Sequence, residues 1–445
     1  MTSTIRPILS LLLGLAFLIV GHGLQMTLIP LRAEAEGWST FEIGVIGSAF
    51  YVGFVAGCIG APYLIQRAAH IRAFTAMVSV ATAAMIALPL WVAFGPWFVF
   101  RVLLGASIAG LYMVIESWLN DSASNQNRGA IMGAYVMVNY AAIALGQLVV
   151  TTHTPNDFVL FAVAGIATSL AAIPVALTRS AQPAPIAIVR FNPRELFRLS
   201  PVGVIGITVV GLANGAFWSL GAVAAVGAGL SVRDAAIFLA IVTACGALAQ
   251  WPAGRLSDRF DRRFVLIGLL AGAAVVGLLF VLVPTPGVTW LGLGVAFGVL
   301  MAPTYSITAA HAYDHAAPGT FVETAAGLFV ANASGAIVGP LIASATMGVL
   351  GSRGLFLFTA IAQGGLAVYV FIRVRSRPAP VAPEKADFDL AAAVPVPGGV
   401  PLEAGDPAAV MPDPPPGATQ DAAEGPPEMP ADAEPDVLDE PDAAR

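Results

Sequence analysis

Charge is scarce in this sequence. Only 11% of the 445 residues are charged, where a soluble globular domain carries about 25%. That shortage excludes an ordinary soluble domain. Cysteine is nearly missing too: Cys58 and Cys245 are the two in the chain, far apart and in no CxxC or Cys/His cluster. A disulfide framework and a cysteine metal site are thereby excluded, and both thiols read as small buried apolar residues. There is no Walker loop, nucleophile elbow, HExxH or dinucleotide fingerprint. No cofactor, metal, nucleic-acid partner, enzymatic activity or built-in ATP-driven pump is therefore expected.

What is present is apolar length. Hydrophobic residues make up 57% of the chain. Apolar segments fall at 8–31, 42–65, 71–94, 97–119, 129–152, 157–178, 201–229, 234–254, 264–283, 287–310, 322–349 and 354–374. Each is long enough for a helix to cross a ~30 Å hydrocarbon core. Their length and lack of alternation point to helices rather than barrel strands. The first run follows Arg6 and is too long for a signal peptide, so it reads as the first span. The expectation is an all-α membrane protein with twelve transmembrane helices.

The chain also repeats itself. Gly14, Gly23, Gly37, Ser39, Glu42 and Arg67 recur 192 residues later as Gly206, Gly215, Gly229, Ser231, Asp234 and Arg259. Tyr112, Asp121, Asn139 and Gly146 recur 193 later as Tyr305, Asp314, Asn332 and Gly339. Each copy holds six predicted helices, an even number, so the halves are parallel repeats about an axis along the membrane normal. Residues 1–178 and 201–375 are the expected six-helix bundles, joined by a linker at 179–200.

The net charge of −6 hides two opposite parts. Residues 1–377 carry 19 Arg and 12 acids, while 378–445 carry one Lys, one Arg and 15 acids. The acidic Pro/Ala-rich segment 376–445 reads as a disordered cytoplasmic tail. Alternating the loops places most body arginines on one side and only Arg32, Arg233 and Arg353 on the other. The positive-inside rule then puts both termini in the cytoplasm.

Polar residues inside the spans are the candidate transport residues. At 100° per residue, Arg101, Gly105, Tyr112 and Glu116 share a stripe of roughly 60° on the fourth helix. Intramembrane charges usually face the bundle interior or a water path. Arg101 is read as attracting an anionic or hydroxylated substrate or tuning a proton site, against the alternative of snorkelling outward. Glu116 is read as a proton carrier or as the partner of Arg128 in a rim lock. His22 and Gln25 lie one turn apart on the first helix, and Asn214 is the repeat mate of His22; polar groups at matching places point to a cavity at the repeat interface, against the alternative of helix–helix hydrogen bonding. His22 is a second proton candidate. Arg128, Tyr135, Asn139 and Gly146 share a face of the fifth helix, and Asn139 and Asn332 either line a cavity or join helices. Tyr51, Trp218, Trp251 and Tyr305 are read as packing or as stacking on substrate.

The loop Gly254-Arg-Leu-Ser-Asp258-Arg259-Phe-Asp-Arg262-Arg263 resembles the G-x-L-x-D-R-x-x-R-R signature of the major facilitator superfamily. Its counterpart Pro62-Tyr-Leu-Ile-Gln66-Arg67 departs from it, with Pro for Gly and Gln for Asp. Arg101-Val-Leu-Leu-Gly105 and Gly335-Ala-Ile-Val-Gly339-Pro340 resemble further elements of that superfamily. Glu116-Ser117, Asn127-Arg128-Gly129 and Gln250-Trp251-Pro252 narrow the likeness to the YcaD-type bacterial subgroup. The resemblance implies the major facilitator fold and a secondary transporter of the bacterial cytoplasmic membrane. It further implies a small-molecule substrate, usually with protons as the coupling ion, and action as a monomer within the lipid bilayer. Asp258, Arg259, Arg262, Arg263 and Arg128 are the expected gating charges. A transporter-like sensor or scaffold with a partner-binding tail, and a facilitative uniporter, are the competing readings.

Overall fold

Twelve apolar helices cross the described residues, as the hydropathy pattern predicts. The computed structural model describes residues 8–123, 127–178, 183, 196–198, 200–283, 287–316 and 321–376. Most of the expected linker (179–200) and nearly all of the tail (376–445) lie outside them. In the first half the spans are α1 (Leu9–Ala35), α2 (Thr40–Ala68), α3 (His70–Leu90), α4 (Phe94–Asp121), α5 (Arg128–Thr152) and α6 (Phe158–Ala176). In the second they are α7 (Pro201–Gly227), α8 (Val232–Arg259), α9 (Arg262–Leu282), α10 (Val288–Tyr313), α11 (Glu323–Leu350) and α12 (Gly354–Arg375).

The repeat is visible in how the helices begin. Gly37 and its mate Gly229 both take positive φ, +78° and +109°, a conformation that glycine adopts without a Cβ penalty. Two residues later Ser39 and Ser231 cap α2 and α8. The Ser39 hydroxyl accepts from the Glu42 N–H and Ser231 from the Asp234 N–H, at 3.3 and 3.1 Å. Each cap satisfies an N–H that the first turn leaves without a helical partner.

The repeat also governs packing. Little hydrophobic force drives helices together inside lipid, so close approach depends on small residues. A Cβ at Gly105 on α4 would meet the Phe50 carbonyl of α2, and one at its mate Gly298 on α10 would meet the Val242 carbonyl of α8. Gly146 of α5 sits likewise on Val20 of α1, and Gly339 of α11 on Leu212 of α7. Phe50 and Val242, and Val20 and Leu212, are themselves 192 residues apart. Each half is thus built from the same pairs, α1 on α5 and α2 on α4, repeated as α7 on α11 and α8 on α10.

Across the halves, α2 packs on α11, α5 on α8, and α1 and α2 on α7. The helix ends on one side carry Arg67, Arg128, Arg259, Arg262 and Arg373; the other side carries Arg32, Arg233 and Arg353. On that arginine-poor side small residues bring α2 close to α7 and α11. Gly44 of α2 faces Ser344 and the Pro340 carbonyl, and Gly47 faces Ser219. Ser48 donates to the Ile337 carbonyl at 2.7 Å.

Two spans are divided: α6 at Ala171, between Phe158–Leu170 and Ala172–Ala176, and α10. α10 divides at Ala302, between Val288–Met301 and Pro303–Tyr313, because Pro303 lacks the N–H that would continue the ladder. Gln250 of α8 braces the break: its amide donates to the Ala302 carbonyl (3.3 Å) and accepts from the Ser306 hydroxyl (3.0 Å).

Candidate functional site: a central cavity between the repeats

A cavity of about 190 Å³ lies between the two halves. From the first half, α1 contributes His22 and Met26, α2 Phe50, Tyr51 and Phe54, α4 Tyr112, and α5 Asn139, Tyr140 and Ile143. From the second, α7 contributes Asn214 and Trp218, α8 Val242 and Thr243, α10 Met301, Ala302 and Tyr305, and α11 Phe329, Asn332, Ala333 and Ala336. Three pairs of repeat mates are among these residues: His22 and Asn214, Tyr112 and Tyr305, and Asn139 and Asn332. Met26 and Trp218, Phe50 and Val242, and Tyr51 and Thr243 also stand 192 residues apart, but as unlike pairs that identity matching passes over. The cavity therefore lies on the axis relating the repeats, where transporters of this build bind substrate. Its wall combines aromatic rings and aliphatic side chains with a few amides and hydroxyls and the His22 imidazole, and includes no carboxylate among the described residues.

Behind Tyr112 lies a short polar ladder between α4 and α5. Tyr112 donates to Asn139 Oδ1 at 2.7 Å, and one turn towards the arginine-rich side Tyr135 donates to Glu116 Oε1 at 2.5 Å. Tyr112 and Glu116 are four residues apart on α4, as are Tyr135 and Asn139 on α5, so two antiparallel helices meet at matched rungs. Glu116 is 2% exposed and is not part of the cavity wall. No ion pair joins it to Arg128 among the described residues, so the expected rim lock between them is not formed here.

Other expected residues sit beside the cavity rather than in it. Gln25 lies behind His22, its amide nitrogen 2.9 Å from His22 Nδ1. An amide nitrogen can only donate, so Nδ1 accepts and the imidazole proton is left on Nε2. Arg101 is 6% exposed and turned inward. It does not snorkel: its Nε donates to the Ile46 carbonyl (3.3 Å) and its guanidinium lies 4.7 Å from the centre of the Phe50 ring. Trp251, a stacking candidate, is exposed on the outer surface beneath Arg255, away from the cavity.

The charged loop forms its own cluster on the arginine-rich side. Arg262 reaches Asp258 and Asp314, each at 3.4 Å, and Arg263 pairs with Asp261 at 2.8 Å. The Arg262 and Asp314 side chains are 2% and 3% exposed. These pairs tie the ends of α8, α9 and α10 within the second half. Arg259 is exposed and Arg128 half-buried, and neither forms an ion pair among the described residues.

The sequence profile of the Major Facilitator Superfamily matches residues 11–331 and matches again over 203–411. The chain belongs to that superfamily. Among relatives in the superfamily, the uncharacterized MFS-type transporter YcaD of Escherichia coli O7:K1 (strain IAI39 / ExPEC) is 30% identical over 296 residues, 63% of this chain and 77% of that protein. The nucleoside transporter NupG shares the fold at a TM-score of 0.70 and 11% identity, over 83% of this chain and 99% of its own. A bacterial homologue of the human lysosomal transporter Spinster, inward-facing and occupied, matches at a TM-score of 0.65 and 16% identity, over 85% of this chain and 97% of its own. The expected superfamily, YcaD likeness, twelve-helix fold and multi-pass location in the bacterial inner membrane are borne out by these matches.

Proposed function

We propose that the chain is a proton-coupled secondary transporter that moves a small organic molecule by alternating access. The substrate occupies the central cavity, and Glu116 carries the proton. One observation supports this most directly: a carboxylate buried at the Tyr135 rung, a single turn below the cavity residue Tyr112. Burying a carboxylate is costly, and a site that alternately holds and releases a proton gives that cost a use. His22 serves better as a neutral hydrogen-bond donor, because Gln25 already donates to its second nitrogen. The small-residue contacts of α2 with α7 and α11 are the closed gate of one state, on the arginine-poor, external side. The arginine-rich side is cytoplasmic.

Reconstitution in proteoliposomes tests the assignment. For a solute that the protein exchanges in counterflow, Glu116→Gln removes the proton-binding carboxyl while keeping its size. Counterflow should persist, and accumulation driven by an imposed pH gradient should fall to background. Undiminished gradient-driven accumulation in the variant would remove Glu116 from the coupling path.

A further inference from the structure

Arg101 is a buried cation without a counter-ion. Its Nη1 is enclosed and makes no hydrogen bond, and no carboxylate comes within ion-pairing distance among the described residues. Among the described residues it meets the Ile46 carbonyl, the face of Phe50 and the neighbouring Tyr51. A buried charge left uncompensated is among the costliest features a membrane helix can carry. The fold does not require it: the repeat mate of Arg101 is Gly294, packed on Phe238.

Arg101 lines a second, smaller chamber of about 20 Å³, together with Ser219. Met26, Phe50, Tyr51 and Trp218 line both this chamber and the central cavity, so the two adjoin. A space of that size admits one water-sized group.

We propose that Arg101 binds the anionic group of the substrate, which is a singly charged organic acid. A carboxylate oxygen reaches the Arg101 chamber, and a flat apolar or aromatic body lies in the central cavity among Tyr51, Phe54, Trp218 and Phe329. A single cation beside a cavity without other permanent charges fits one negative charge. A dianion would leave its second charge unpaired. The proposal rests on the transport reading above and deepens it by naming the substrate class.

Thermal unfolding of the purified full-length protein tests it with benzoate, phenylacetate and indole-3-acetate, each against its primary amide, and with chloride and phosphate as inorganic controls. At least one acid should raise the melting temperature while its amide does not. Arg101→Gln should weaken acid binding by at least about thirtyfold, the loss expected when a buried charge pair is truncated, and Arg101→Lys should retain part of it. Because Arg101→Gln could act through misfolding, Met26→Glu supplies a second arm with Arg101 intact. A carboxylate built into the chamber should stabilise the ligand-free protein and abolish the response to acids. The proposal is overturned if the amides stabilise equally, if the acid response survives Arg101→Gln, if only chloride or phosphate stabilises, or if no acid does. Acids that bind through Arg101 yet are not exchanged by proteoliposomes would instead overturn the transport reading.

Discussion

Tyr112 and Tyr305 are repeat mates with different duties. Both line the cavity, yet Tyr112 donates to Asn139, while Tyr305 makes no side-chain hydrogen bond to Asn332 among the described residues. The next rung down is also unequal: opposite Tyr135 and Glu116, the second half has Leu328 and Ala309. The polar ladder therefore exists in one half only, and the second half keeps a cavity tyrosine available to a ligand. Tyr112→Phe strands a buried Asn139 oxygen, which costs about 1–3 kcal/mol, and should lower the melting temperature. Tyr305→Phe strands nothing and should leave it unchanged while raising KM for transport. Equal thermal losses in the two variants would mean that Tyr305 has a structural partner after all.

At the scale of the helix, Gly105 fixes how Arg101 meets its surroundings. The absent Cβ lets α4 lie against the α2 backbone at Phe50 and Phe54, and Phe50 is the ring beneath the guanidinium. Gly105→Ala would drive a methyl into the Phe50 carbonyl oxygen. The helices must separate, at a cost of about 1–3 kcal/mol. Gly133→Ala on α5, where nothing lies within 4 Å, is the matched control. Melting curves should show a clear loss for the first and none for the second. Faces of single helices were legible in the sequence, since Arg101, Gly105, Tyr112 and Glu116 follow from helical angle alone. The partner of each face was not. Only the packed pair α4 and α5 reveals that Glu116 meets Tyr135 rather than Arg128. The break in α10 was hidden as well, because Pro303 interrupts the hydrogen-bond ladder without interrupting the apolar run.

For the whole molecule, the repeat offset was the most informative sequence signal, because two copies of one packing scheme need the same glycines and caps in the same places. It located the cavity through His22 with Asn214 and Asn139 with Asn332. It passed over Met26 with Trp218 and Tyr51 with Thr243, whose positions correspond but whose chemistry differs. The alternating access proposed above requires the contacts between halves to be breakable on each side in turn, and the small residues where α2 approaches α7 and α11 suit that purpose, because they let the helices pack closely. A Cβ at Gly47 would lie 2.6 Å from Ser219, so Gly47→Leu should prevent α2 from closing on α7. With Cys58 and Cys245 replaced by serine and Ala333→Cys placed in the cavity wall, an impermeant maleimide added outside intact cells should label Gly47→Leu several-fold faster than the parent. Labelling at the same rate in both would show that the cavity is not sealed at Gly47, and the gate would then have to lie elsewhere along the α2–α11 contact.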